Sequence, residues 1–187
     1  MAAWIVYPGD KENPVNNQNM TSGIGQHHTD EPGKENRKHY LTIDFVGIRA
    51  LVDTPQQINK TQAKWLIPST YPSRNFKEQE QHGEYWMLWA DLDKNPPTLP
   101  DLADSIENLL DGCDFEIYNS RRATAENQKA RVLIFIDYPL CYADWTLAQE
   151  ILNDKFEALG IIPDRANERP VSARLYGRSP GWCHPAP

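Results

Sequence analysis

The chain has 187 residues, a formal net charge of −7 at pH 7 and 40% hydrophobic residues, among them six Trp and eight Tyr. That length allows one sizeable core, with or without a small appended lobe, and the tryptophan content excludes a wholly disordered chain. The negative charge excludes a global attraction to nucleic acid or anionic membranes, so any polyanion site has to be a local basic patch. Cys113, Cys141 and Cys183 form no CxxC pair and read as reduced, buried or incidental rather than as a zinc site or disulfide framework. With no signal-peptide pattern and no run of about 18 apolar residues, the expectation is a soluble, cytoplasmic protein without a membrane partner.

After the short apolar start Trp4-Ile5-Val6-Tyr7, residues 8–37 are rich in Asn, Gln, Gly, Pro and charge without periodicity, which predicts a long loop or arm. His27 and His28 lie inside it, and adjacent histidines with no third ligand at a recognisable spacing read as exposed loop. Strand signals return at residues 40–45, followed by Val46 to Val52 and a helix-like Thr61 to Leu66. Residues 1–83 are therefore read as an N-terminal arm and small α/β lobe, 84–180 as the core, and 181–187 as a Pro-containing tail or linker.

The core opens on Glu84 to Leu92, an aromatic, apolar run that predicts a buried strand and ends in Asp91-Leu92-Asp93. Residues two apart on a strand share a face, so the two carboxylates point the same way, about 7 Å apart along the strand. Such a pair can hold Mg2+ or Mn2+ for phosphoryl-transfer chemistry. The alternative is that Asp-Leu-Asp-Lys-Asn-Pro-Pro only ends a strand and enters a turn.

Leu99, Leu102, Ile106 and Leu109 then recur at helical spacing. Residues 115–120 alternate like a half-buried strand, and residues 131–137 read as a more fully buried one, with Asp137 as its terminator. Asp144 is a candidate cap for a helix with Leu147, Ile151, Leu152, Phe156 and Leu159 inward and Gly160 as its stop. Val171 to Tyr176 supplies a last strand. The order is β-α-β-β-α-β, an α+β class of the ferredoxin-like or RNA-recognition type, with both helices on one sheet face and the other face free for a site.

Asp91, Asp93, Asn119 to Thr124, Arg131, Asp164, Ser172, Arg174 and Tyr176 are expected to gather there. Carboxylates for metal, arginines for phosphate and an aromatic for a base or sugar are what nucleotidyl transfer requires. Taken singly, each is ordinary: Arg121 and Arg122 fit a solvated turn, and Arg131 fits a pair with a surface acid.

Residues 89–93, 117–127 running into 129–134, 159–164 and 169–176 resemble, in order and spacing, the plasmid and phage primase-polymerases of the archaeo-eukaryotic primase superfamily. The resemblance covers roughly residues 84 to 180. It implies a catalytic core on a recognition-motif-like fold, divalent metal on Asp91 and Asp93, and a third metal-binding acid at Asp164, with Asp137 as its rival. It also implies triphosphate contacts from Ser120, Arg121, Arg122 and Arg131, and a second phosphate or template contact from Arg174. Tyr176 is the aromatic for template or base. The implied partners are a single-stranded DNA template, nucleoside triphosphates and a helicase supplied separately, since the chain has no GxxxxGK[ST] loop. One position departs from the family: a histidine usual in its second motif is replaced here by Arg122, whose guanidinium can make the same anion contact with greater reach.

Two other readings compete with a template-directed nucleotidyltransferase. One is a catalytically degenerate module that grips single-stranded nucleic acid through stacked aromatics such as Tyr176 and Trp182 and through arginines. The other is a sugar-nucleotide transferase, disfavoured because the element order lacks a Rossmann-like βα alternation.

Overall fold

The computed structural model describes residues 18–24, 40–54, 63–94, 96–110, 112–120, 123–168 and 173–174. In chain order the elements are β1 (Met20–Ile24), β2 (Leu41–Ile43), α1 (Phe45–Asp53), β3 (Lys64–Leu66), α2 (Phe76–His82), β4 (Tyr85–Leu92), α3 (Leu99–Leu110), β5 (Phe115–Asn119), β6 (Ala130–Leu140), α4 (Tyr142–Ala158) and β7 (Ala173–Arg174). A 3-10 turn covers Arg165–Glu168. The protein is α+β, and from β4 onward the order is β-α-β-β-α-β, compatible with a ferredoxin-like core. None of the described helices is long and apolar enough to cross a membrane.

Two antiparallel sheets carry the fold, one ordered β2-β1-β3-β7 and the other β4-β6-β5. They meet where Ser69 bridges Tyr85 and the Trp86 N–H donates to the Pro68 carbonyl at 3.0 Å. The sequence places the last strand with the core. Instead β7 pairs with β3, setting Arg174 opposite Trp65 in the N-terminal sheet.

Other expectations also change. Residues 20–24, within the stretch read as a loop or arm, form the buried β1, whose edges are taken by β2 and β3. Residues 64–66, read as helix, are a strand, because Trp65 and Leu66 bury in the sheet. Lone apolar triplets carry no distinguishing period, and pairing decides them. The helix α1 starts where Asp44 Oδ1 accepts the Gly47 N–H at 2.7 Å, an N-cap that takes Phe45 out of the preceding strand.

In α4 the inward face also differs. Leu152 and Phe156 are buried, but Leu147, Ile151 and Leu159 are exposed, and Trp145, Gln149 and Asn153 point inward. The N-cap is Cys141, with Asp144 in the first turn accepting from the Cys141 thiol at 3.2 Å. Gly160 does stop the helix: at φ 76 its N–H reaches Glu157, and the N–H of Ile161 reaches Phe156, which closes a Schellman end. Cys113 and Cys141 are exposed rather than buried. Asp137 does not end its strand, since β6 continues to Leu140 where it pairs with Tyr85.

The core is built from Tyr85, Met87, Leu92, Leu102, Ile106, Leu133, Trp145 and Phe156, all fully buried. The sheet face expected to be open is partly covered. Phe45 of α1 packs on Phe135 with ring centroids 4.3 Å apart, and Arg49 Nε donates to Glu116 Oε1 at 2.8 Å. Burial raises the Glu116 carboxyl above its ordinary value, with the Arg49 guanidinium opposing that shift.

Glycine is required at position 23. A Cβ there would lie 2.2 Å from the Trp65 ring, which Arg74 stacks on from 4.5 Å. Gly23→Ala is expected to cost about 2 kcal/mol through overpacking, measured by urea unfolding; an unchanged midpoint would mean that the ring moves aside at no cost.

Glu116 sets a pH dependence. The folded protein holds its proton over a range in which the unfolded chain has released it, so the stability it contributes is greatest below the ordinary carboxyl value and declines as pH rises through the raised one. Glu116→Gln should therefore gain stability relative to wild type between about pH 4 and pH 7. A wild-type advantage that grows over that interval would mean the Arg49 pair outweighs burial.

Candidate functional site

The register of the core sheet assembles the site. Asp91 on β4 and Tyr118 on β5 both stand opposite Arg131 on the central β6. These residues form a row across the sheet, and alternation places their side chains on one face. Two residues on, Asp93, Lys129 and Ser120 follow on the same face at the strand ends, with the Ser120 N–H donating to the Lys129 carbonyl at 2.8 Å.

Each acid faces a cation across the strands. Arg131 Nη2 donates to Asp91 Oδ2 at 2.8 Å, with 10% of the Arg131 and 18% of the Asp91 side chain exposed. Lys129 Nζ donates to Asp93 Oδ1 at 3.0 Å, with Asp93 half exposed. Exposure thus increases outward, and the first pair is the more desolvated. Tyr118 Oη and Asp91 Oδ1 are buried without a hydrogen-bond partner among the described residues. The Tyr118 phenol is pushed up to about 12, chiefly by burial, with Arg131 opposing and Asp91 reinforcing the rise.

Asp164 reaches the same end from another direction. Its N–H donates to the Asp91 carbonyl at 2.8 Å along the outer edge of β4, and its Oδ1 accepts the Ala166 N–H at 3.0 Å. Its side chain is exposed. The rival acid Asp137 is six residues from Arg131 along β6, about 20 Å away at the strand rise.

Asp91, Asp93, Ser120, Arg131 and Asp164 therefore come to one end of one sheet. Arg174 lies on β7 in the other sheet. His27, His28, Arg121, Arg122, Ser172, Tyr176 and Trp182 lie outside the described residues. Sequence reasoning gave no role to Lys129 or Tyr118. The signal for Lys129 was present: Asp-x-Asp on one strand and Lys-x-Arg on its antiparallel neighbour are complementary at the same two-residue spacing.

Carboxylate oxygens are suitable donors for a hard divalent cation, and Asp91 Oδ1 has no competing hydrogen bond. The donor set fits Mg2+ or Mn2+ in chemistry. In position, however, Asp91 and Asp93 are engaged by Arg131 and Lys129, and among the described residues no three His, Cys, Asp or Glu side chains are grouped to hold one ion. The exposed Lys129–Asp93 pair is the easier one for a cation to displace.

No family model matches the chain, and no curated protein matches it. Among solved structures, the polymerase domain from Mycobacterium tuberculosis Ligase D in complex with DNA is similar at a TM-score of 0.44 and 11% identity, over 86% of this chain and 69% of that one. A likeness of that size says nothing about activity or ligands.

The two ion pairs should respond differently to loss of their cation. Arg131→Met leaves Asp91 desolvated and unpaired and is expected to cost about 3 kcal/mol in urea unfolding, whereas Lys129→Met should stay within about 0.5 kcal/mol of wild type. Equal costs would contradict the burial gradient.

Proposed function

We propose that this protein is a metal-dependent, template-directed nucleotidyltransferase, a primase or DNA polymerase acting in plasmid or phage replication. The observation that carries the reading is the convergence of Asp91 and Asp93 with Ser120, Lys129 and Arg131 at one end of the core sheet, next to the docked Asp164. The plasmid or phage setting, the nucleoside triphosphate and DNA template, and a helicase partner follow from the sequence resemblance.

In this reading Asp91 and Asp93, with Asp164 as the third acid that the sequence resemblance implies, would hold Mg2+ or Mn2+, and the bound ion would supply the positive charge that phosphoryl transfer needs. Arg131 and Lys129 turn from the acids toward the triphosphate, exchanging carboxylate for phosphate as their hydrogen-bond acceptor. Ser120, at the end of β5, offers a hydroxyl to the same anion, and Arg121 and Arg122 follow it directly in the chain. Arg174 and Tyr176 are assigned to the template. The inner part of the face is covered where α1 meets Phe135 and Glu116.

A second reading has an observation in its favour. Both acids already have protein counter-ions, as they would if the pairs served only to join the strands. The protein would then be a non-catalytic module for single-stranded nucleic acid.

Extension of a labelled primer on a single-stranded template, with Mg2+ or Mn2+ and each nucleotide mix, separates the two. The proposal predicts extension by the wild type, reduced at least about a thousandfold in an Asp91→Ala, Asp93→Ala double variant. Template binding without extension in both proteins would instead favour the binding module.

A further inference from the structure

The core sheet, ordered β4-β6-β5, has two edges, and they differ. Along β4, Trp145, Gln149, Asn167 and the Asp164 N–H bond the outer backbone groups of Met87, Trp89 and Asp91. β5 is the other edge. The Ser120 N–H donates to the Lys129 carbonyl at 2.8 Å and the Phe135 N–H to the Asp114 carbonyl at 2.9 Å, so the even-numbered residues of β5 face β6. By alternation Phe115, Ile117 and Asn119 turn their N–H and C=O groups outward. Among the described residues, no strand or loop pairs with the backbone of Ile117 or Asn119 on that side.

Edge strands are ordinarily kept from pairing by Lys or Pro, by a bulge or by shortness. The outer strands of the N-terminal sheet, β2 and β7, have only three and two residues. β5 has five residues, holds neither Lys nor Pro, and runs beside β6 without a register shift. Its flanks carry opposite charge: the chain enters from Asp111 and Asp114 and leaves into Arg121 and Arg122. Arg49 offsets part of the acidic end, pairing with Asp114 at 3.2 Å and with Glu116 at 2.8 Å, and leaves that end acidic. A strand that is acidic before and basic after matches itself only in antiparallel pairing, which is the arrangement of a two-fold dimer.

We infer that β5 is an interface between two copies of this chain, joined edge to edge about a two-fold axis at Ile117. The outward groups of Ile117 then bond those of the partner's Ile117, and Phe115 stands opposite the partner's Asn119. Two three-stranded sheets become one sheet of six strands. The acidic entry of each β5 lies against the basic exit of the other, and Asp114 falls opposite the partner's Ser120. Each copy thereby borders the end of the other's sheet that bears Ser120 and Lys129. The pairing depends on neither metal nor nucleotide.

The test follows the full chain by sedimentation velocity and amide hydrogen exchange. A five-residue pairing is a small interface, so the expected result is a reversible dimer with a dissociation constant on the order of 10–100 µM, sampled from about 5 to about 500 µM. The amides of Ile117 and Asn119 should exchange almost unprotected at the lowest concentration and gain protection as the dimer forms. Ile117→Pro removes an N–H that β6 does not use and should weaken association at least about tenfold, while Ile117→Val keeps it. Reversing the basic end with Arg121→Glu, Arg122→Glu should also weaken it at least about tenfold. A chain that stays monomeric throughout overturns the proposal: exposed amides would leave the edge unpaired, and protected ones would put a segment of the same chain on it. A dimer that survives both Ile117→Pro and the double arginine variant overturns it too, because its interface lies elsewhere.

Discussion

β4 lies at the edge of its sheet, and an edge strand buried against a helix has backbone groups that must be hydrogen-bonded. On the inner side β6 supplies the partners. On the outer side residues 68–69 meet only the start of β4, and beyond it no strand among the described residues does: Trp145 Nε1 donates to the Met87 carbonyl at 2.9 Å, amides of Gln149 and Asn167 meet Trp89, and the Asp164 N–H meets Asp91. This substitution of side chains for a strand explains much of the rest. It puts polar residues on the buried face of α4, it brings the turn after α4 alongside the aspartates, and it leaves β7 to complete the N-terminal sheet instead.

The same register that builds the sheet builds the charge pattern. Antiparallel pairing of Asp-x-Asp with Lys-x-Arg places opposite charges directly across from each other, which favours that register over a one-residue slip. The inner pair is partly desolvated and coupled to the buried Tyr118, while the outer pair remains accessible. Under the proposed function, a cation and a polyanion arriving together would exchange partners with these pairs without leaving a bare charge inside the protein.

Long, strongly patterned segments were legible in the sequence. The aromatic run of β4, the amphipathic spacing of α3, the glycine stop of α4 and the β-α-β-β-α-β order all follow from local period and turn chemistry. The shared face of Asp91 and Asp93 follows from strand alternation alone. Short strands were not legible: Met20–Ile24 and Lys64–Leu66 are defined by partners distant in sequence, and no local period marks them. The inward face of α4 was misread because its core-facing residues include Gln149 and Asn153, which hydropathy assigns to solvent, and its outward face carries Leu147 and Ile151. The same blindness hid the amides that close the outer edge of β4. Lys129, in contrast, could have been found by pairing the two charge patterns in antiparallel register.

Under the proposed function, the end of the core sheet bearing Asp91 and Asp93 binds a divalent cation. That binding is tested most directly by nuclear magnetic resonance of the isotope-labelled chain under substoichiometric Mn2+, which broadens amides near the bound ion. Broadening is expected to concentrate at residues 91–93, 120, 129–131 and 164, and to be lost in the Asp91→Ala, Asp93→Ala variant. Broadening centred on His27 and His28, or uniform along the chain, would contradict it.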